Sequence, residues 1–80
     1  MEERIGTVII IIDSDIDAGP VNAILSDHAH MILGRQGIPL RERGMNIISI
    51  VLEGNTDDIG SLTGKLGRLD GVKVKSVLAG

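Results

Sequence analysis

Three aspartates, Asp13, Asp15 and Asp17, follow an apolar run and carry carboxylates of the kind that hold a metal ion. Carboxylate oxygens are the ligands that calcium and magnesium prefer. A calcium-binding loop also needs a glycine and a closing glutamate at fixed spacing, and neither follows here. Aspartates ahead of a helix stabilise the positive end of its dipole. The pattern therefore favours a helix entry over a cation site.

The chain contains two histidines, His28 and His30, and no cysteine. At about 100° per residue, the two side chains would lie about 200° apart on a helix and could not hold the same ion. His28 falls on an apolar helix face, where a histidine is more often part of a core or an interface. We therefore predict no metal and no cofactor. His28 remains a weak candidate ligand whose site a second subunit would have to complete.

Ser14, His28 and an aspartate are the residue types of a hydrolase triad. No G-x-S-x-G sequence, which exposes a nucleophile at a strand-to-helix turn, surrounds the serine. A core as small as this one also leaves little room for a buried catalytic site. We predict that the protein is not an enzyme.

Composition excludes several classes of partner. The 80 residues fit one domain, residues 1–80. The net charge is -3 and the chain has no Phe, Tyr or Trp, so neither a basic footprint nor a base-stacking platform for nucleic acid is present. No apolar run approaches the roughly 20 residues of a membrane span, and the acidic start is unlike a signal peptide. We predict a cytoplasmic protein that binds neither membrane nor nucleic acid directly.

The elements that carry these residues follow the order β-α-β-β-α-β. The predicted strands are Ile5–Asp13, Met31–Ile38, Met45–Glu53 and Val72–Leu78; the predicted helices run from near Gly19 to Ala29–Met31 and from Asp57 to Leu69. The first and third strands are apolar on both faces and should be central, whereas the alternating fourth strand should lie at an edge. This order predicts an α+β, ferredoxin-like sandwich, with a four-stranded antiparallel sheet and two helices on one face.

Two surfaces of this fold predict association with another chain. The sheet face without helices would expose apolar side chains such as Ile9 and Ile11, and an exposed apolar patch marks an interaction site. In the second helix, Gly60, Gly64 and Gly67 share a strip opposite the apolar stripe, although each glycine costs the helix roughly 1 kcal/mol. We predict a homo-oligomer, dimer or tetramer, with these residues at its interfaces.

Several segments resemble a known family. They are residues 34–42 (GRQGIPLRE), the strand at 47–48, residues 58–67 (DIGSLTGKLG) and residues 71–75 (GVKVK). Over nearly the whole chain they resemble the iron-only hydrogenase system regulators, a family of ACT-like domains. That family is similar in fold to ACT domains and to the C-terminal ligand-sensing domain of the nickel-responsive repressor.

The resemblance implies an oligomeric, non-catalytic, ligand-sensing module with a role in regulating transcription of an iron-only hydrogenase system. ACT domains bind small effectors, often amino acids, near the loop after the first strand, which corresponds here to Asp13–Val21, with Gly19 nearest the usual glycine. The nickel-binding relative uses a cysteine that this chain lacks, which argues against nickel sensing. No DNA-binding arm fits before residue 5, so a transcriptional effect would require a partner.

These implications place a small anionic effector at a subunit interface. Its predicted ligands are Asp13, Asp15 and Gly19, together with a neighbour's Arg41 or Lys65. Two alternatives remain open. One is a structural adaptor whose basic C-terminal half meets an acidic protein partner, and the other is a metal sensor.

Overall fold

The structure, a computed structural model, describes residues 2–79. Its four strands are β1 (Arg4–Asp13), β2 (Ile32–Leu40), β3 (Met45–Gly54) and β4 (Val72–Leu78); its two α-helices are α1 (Gly19–Asp27) and α2 (Thr56–Gly67). Two single 3₁₀ turns, Ala29–Met31 and Arg41–Arg43, precede β2 and β3. The predicted βαββαβ order is confirmed.

The sheet is antiparallel, with the strand order β2-β3-β1-β4. β1 and β3 pair along their whole length, from Arg4 opposite Gly54 to Asp13 opposite Met45. Both strands therefore have a neighbouring strand on each side. Their continuous runs of Ile and Val are typical of such central strands. The predicted central and edge positions are therefore confirmed, and the fold is ferredoxin-like.

The helices pack on one face of this sheet, and the core lies between the two layers. Strand residues of alternate parity are buried there, as the two-residue period of a strand requires. The buried apolar residues are Val8, Ile10, Ile12, Ile48, Ile50, Leu52 and Val72 from the strands, Val21, Leu25, Ile59, Leu62 and Leu66 from the helices, and Met31. Their packing holds the helices against the sheet, with α2 over β4 and β1.

Local signals define the helix starts. Asn55 caps α2, because its side-chain oxygen accepts a hydrogen bond of 2.8 Å from the backbone N–H of Asp58. α1 has Pro20 in its first turn, where a missing N–H costs nothing. No side chain caps α1 directly, but Asp17 Oδ1 accepts a hydrogen bond from the backbone N–H of Gly19 at 3.0 Å.

The predicted bounds were wrong around β2. α1 ends at Asp27, and the residues predicted as its end form the 3₁₀ turn that includes Met31. β2 then continues through Pro39 to Leu40, which had been predicted as loop. Proline has no backbone N–H. On the outer side of an edge strand the N–H groups face no neighbouring strand, so a proline there removes no hydrogen bond from the sheet. The register of β2 against β3 also shifts between Ile32 and Gly34. Glycine in a strand often accompanies such a β-bulge.

On the opposite face of the sheet no helix of residues 2–79 packs, and we call it the open face. Three of its central residues expose nearly half of their surface: Ile5 at 46%, Ile9 at 43% and Val51 at 46%. Ile11 and Ile47 lie beside each other on this face and are half-buried. None of the helices within residues 2–79 is long and apolar enough to cross a membrane.

Candidate ligand and association site

Three connections meet at one end of the sheet, which we call the loop end. The backbone N–H of Asp13 donates to the carbonyl oxygen of Gly71 at 3.0 Å, which ties β1 to the turn before β4. The N–H of Ser14 donates to the carbonyl oxygen of Gly44 at 3.0 Å, which ties the β1–α1 loop to the β2–β3 connection. Gly44 and Gly71 both have positive φ angles, 65° and 74°, a conformation that glycine adopts without strain.

A cavity of about 310 Å³ opens at the loop end of the open face. It is lined by Ile11, Asp13, Met45, Gly71, Val72 and Lys73. Ile11 and Met45 provide apolar surface, while the exposed side chains of Asp13 and Lys73 provide opposite charges at its border. No ion pair joins that carboxylate to that ammonium within residues 2–79. The cavity can therefore present a cation and an anion to a small polar molecule.

The structure brings some of the predicted ligand residues to this end. Asp13 is the last residue of β1, and its carboxylate accepts a hydrogen bond from the backbone N–H of Asp15 at 3.2 Å. Gly19 begins α1 after the intervening loop. Arg41 begins the 3₁₀ turn that leads to Gly44, whose N–H donates to the Arg41 carbonyl oxygen at 3.1 Å. Asp13 thus lies at the end of β1, while Asp15 and Arg41 belong to the two connections that the Ser14–Gly44 hydrogen bond joins.

Lys65 lies apart from this group. It is exposed near the C-terminal end of α2, in the helix layer rather than on the open face. Neither Lys65 nor Arg41 forms a hydrogen bond or ion pair with Asp13 or Asp15 in the described part of the chain. The sequence prediction assigns both cations to a neighbouring subunit, and this arrangement stays a prediction.

The glycine strip of α2 faces outward, as its periodicity indicates. Gly60, Gly64 and Gly67 are exposed, and a Cβ atom built on any of them meets no atom within 4 Å beyond its chain neighbours and the backbone of its own helix. Nothing in the described chain therefore requires glycine at these three positions. Whether another chain contacts the strip stays a prediction.

We expect Gly64→Ala to raise the unfolding free energy of the monomer by about 0.5–1 kcal/mol, because alanine is the better helix former. We also expect it to weaken self-association, because the new methyl group separates two surfaces that otherwise touch. Urea denaturation at low protein concentration measures the first effect and sedimentation velocity the second. Ser61→Ala on the same helix is the control. Unchanged self-association in Gly64→Ala would exclude this position from an interface.

His28 is a buried histidine with a backbone partner. Its side chain is 7% exposed, and Nδ1 lies 2.8 Å from the carbonyl oxygen of Ile24. Because a carbonyl oxygen only accepts, Nδ1 carries the proton and donates it. No group of three or more His, Cys, Asp or Glu side chains in residues 2–79 is arranged to hold a metal ion.

Sequence reasoning missed Lys73 and Met45 as lining residues. Lys73 was predicted only as part of a basic half, and Met45 only as the start of a strand. The missing information was the strand register: Lys73 lies opposite Ile11 in the β1–β4 pair, and Met45 lies opposite Asp13 in the β1–β3 pair. Alternation along β4 does predict that Lys73 and Lys75 share a face, but it does not identify their neighbours.

The sheet order and the single helix layer define the class of protein, an α+β sandwich of the ferredoxin-like type. Residues 4–76 match the model of the TM1266-like family, described as "Iron-only hydrogenase system regulator, putative", and the chain belongs to that family. The resemblance found in the sequence motifs is thus confirmed.

A solved structure agrees with this assignment. The uncharacterized protein TM1266 from Thermotoga maritima superposes with a TM-score of 0.94 at 40% sequence identity. The match covers 99% of this chain and 100% of that one. No curated protein matches the chain.

Proposed function

We propose that this protein is a non-catalytic regulatory module of an iron-only hydrogenase system, which senses a small molecule and works as a homo-oligomer. The family description supports the regulatory part of this proposal. The observation that carries the sensing part is the cavity at the loop end, because it combines apolar surface with two charges of opposite sign. A small-molecule site typically has this composition, with a few polar groups on an apolar lining.

The chemistry of the cavity limits the effector. Lys73 supplies an ammonium for a carboxylate or phosphate group, and Asp13 accepts hydrogen bonds from an amino or hydroxyl group. Ile11 and Met45 provide the contact for a small apolar part. A volume of about 310 Å³ accommodates a molecule at the small end of the usual range for ligand sites.

The position of the cavity connects binding with association. Its lining residue Ile11 belongs to the open face, where Ile9 and Val51 are exposed. A second subunit packed on this face would lie next to a bound effector. An effector that prefers one arrangement of the subunits shifts the population toward that arrangement, by as much as its affinities for the two arrangements differ.

The test is a thermal-shift screen of amino acids, nucleotides and metal ions at millimolar concentration, with light scattering on each positive compound. We expect at least one organic anion to raise the melting temperature and to change the average mass. Lys73→Ala and Asp13→Asn should abolish both effects. Lys75→Ala is the matched control, because Lys75 lies two residues along on the same face and outside the cavity lining.

Each outcome of the screen decides between functions. A screen in which no compound raises the melting temperature contradicts the sensing role. A response to a metal ion alone, retained in Lys73→Ala, would instead support the metal sensor. A monomer at micromolar concentration with and without effector contradicts the oligomeric part.

An adaptor function is the second candidate, and the two lysines of β4 favour it. Lys73 and Lys75 project from the open face beside Ile11 and Ile9, and neither has a carboxylate partner in the described chain. An acidic, partly apolar protein surface would complement them. This function predicts no effector in the screen, and an acidic partner that binds the native protein but not a Lys73→Glu, Lys75→Glu variant.

A further inference from the structure

A second cavity, of about 430 Å³, lies at the connection between β2 and β3. It is lined by five consecutive residues, 39–43, which form the end of β2 and the 3₁₀ turn that follows it. None of them lines the first cavity, beside Asp13 and Lys73. The volume falls within the range of roughly 300–1,000 Å³ that is usual for small-molecule sites. This cavity is therefore large enough for a ligand of its own.

The backbone around the second cavity is fixed at both ends of the turn. Leu40, before the turn, pairs with Met45 in the β2–β3 ladder. After the turn, the N–H of Gly44 donates to the carbonyl oxygen of Arg41 at 3.1 Å. The carbonyl oxygen of Gly44 accepts a hydrogen bond of 3.0 Å from the N–H of Ser14. A ligand would meet a backbone that is already ordered, which limits the entropic cost of binding.

The side chains of the turn leave two guanidinium groups unpaired. Arg41 and Arg43 are exposed, and neither side chain forms an ion pair or a hydrogen bond within residues 2–79. Glu42 lies between them in sequence, but side chains one residue apart on a helical turn do not face each other. Two cations and one carboxylate give the cavity a net positive charge, although the whole chain carries a net charge of -3.

This charge balance distinguishes the second cavity from the first. Asp13 and Lys73 contribute one charge of each sign, which suits a ligand with one acidic group and one amino or hydroxyl group. The two arginines instead suit a ligand with an excess of negative charge. Guanidinium groups present rigid forks of N–H donors that match the oxygens of a phosphate group, and these charge-assisted hydrogen bonds are strong.

We propose that the Arg41–Arg43 turn is a second binding site, specific for a phosphate monoester whose ester group is small and apolar. The two guanidinium groups bind the phosphate dianion, and the ester group lies against Pro39 and Leu40, which supply the apolar part of the lining. Glu42 repels a further anionic group, so one compact dianion fits better than a dicarboxylate with separated charges. The site does not depend on effector binding at Lys73.

Titration of the ¹⁵N-labelled protein with phenyl phosphate, followed by amide chemical shifts, tests this site. At about pH 7.5 the ligand is a dianion, since the second pKa of a phosphate monoester is about 6, and its ring is apolar. We expect the largest shifts at residues 40–44, with saturation in the millimolar range. Shifts centred on Gly71 and Lys73 would place the ligand in the first cavity and overturn the proposal.

Two further ligands separate recognition of a phosphate ester from general attraction of anions. Benzenesulfonate has the same ring but a single negative charge, and we expect it to bind about 5-fold more weakly. Inorganic phosphate lacks the ring, so it should also bind more weakly. Equal affinity of phenyl phosphate and either of these ligands would contradict the proposal.

Substitutions of exposed basic residues provide the matched controls. Arg41→Ala and Arg43→Ala should each weaken phenyl phosphate binding by about 5-fold, because each removes a charge-assisted hydrogen bond. Arg68→Ala removes another exposed arginine, outside the cavity lining, and should leave the affinity unchanged. Lys73→Ala should also leave it unchanged, although it should abolish effector binding in the first cavity. If Arg68→Ala weakens binding as much as Arg43→Ala, the attraction is unspecific and the proposal is wrong.

Discussion

Replacing Leu62 with alanine should cost about 2–5 kcal/mol of unfolding free energy, one of the largest effects available in this chain. Leu62 is fully buried, at 0% exposure, and it projects from the middle of α2 into the core between the helices and the sheet. Truncation loses the transfer free energy of the removed carbons and leaves a cavity, since the sheet cannot follow the shortened side chain. A domain of 80 residues has about 4–12 kcal/mol of stability in total.

Chemical denaturation of Leu62→Ala and wild type measures this loss, with circular dichroism as the signal. Ser61→Ala, which removes one exposed oxygen from the same helix, should change stability by at most about 0.5 kcal/mol. A loss below about 1 kcal/mol in Leu62→Ala would mean that α2 is not packed as the structure places it. Denaturation at several protein concentrations separates folding from association, because stability that comes from association depends on concentration.

The burial of Leu62, on which this prediction rests, could itself be predicted from the sequence. Ile59, Leu62 and Leu66 recur at helical spacing, so their burial against the sheet follows from periodicity. The same argument assigns β1 and β3 to the centre, because apolar residues occupy both of their faces. The helical and strand periods were sufficient to predict these positions. The predicted fold includes no disulfide or cofactor whose constraints would override the two patterns.

Periodicity did not identify the end of β2. Pro39 was predicted as the start of a loop, yet it lies within an edge strand, where its missing N–H removes nothing from the β-ladder. The 3₁₀ turns before β2 and β3 also escaped prediction, because three residues are too few to display a period. Local propensity is a weak guide at such positions, since pairing with β3 decides where the strand ends.

The candidate site was predicted only in part, for a geometric reason. Asp13 is the last residue of β1 and Arg41 directly follows β2, so the topology alone brings them to the same end of the sheet. Lys73 required the register of β4 against β1, which depends on the length of the turn at Gly71. A shift of one residue would turn Lys73 toward the core. Residues from distant segments meet in the cavity, so no local motif contains them.

Gly71 fixes that register, and its replacement by alanine is the second large effect that we expect. Its φ angle of +74° costs a residue with a side chain about 1–2 kcal/mol. A Cβ atom there would also overlap the Cδ1 atom of half-buried Ile16 and approach Asp13 Cβ to 3.5 Å. Displacement of Ile16 adds to the backbone strain, so we expect a total loss of about 2–3 kcal/mol.

Gly44→Ala separates the two contributions. Gly44 has a similar φ angle of 65°, but its Cβ would meet only Ser14 Oγ, at an ordinary 3.8 Å. The Gly44→Ala variant should therefore lose only about 1–2 kcal/mol of unfolding free energy, which is the cost of the positive φ angle. The excess loss in Gly71→Ala should disappear in an Ile16→Ala background, measured as a double-mutant cycle by urea denaturation. Equal losses of unfolding free energy in the two variants would show that the Ile16 side chain moves aside without a measurable cost. The contact would then not position the cavity wall formed by Asp13 and Gly71.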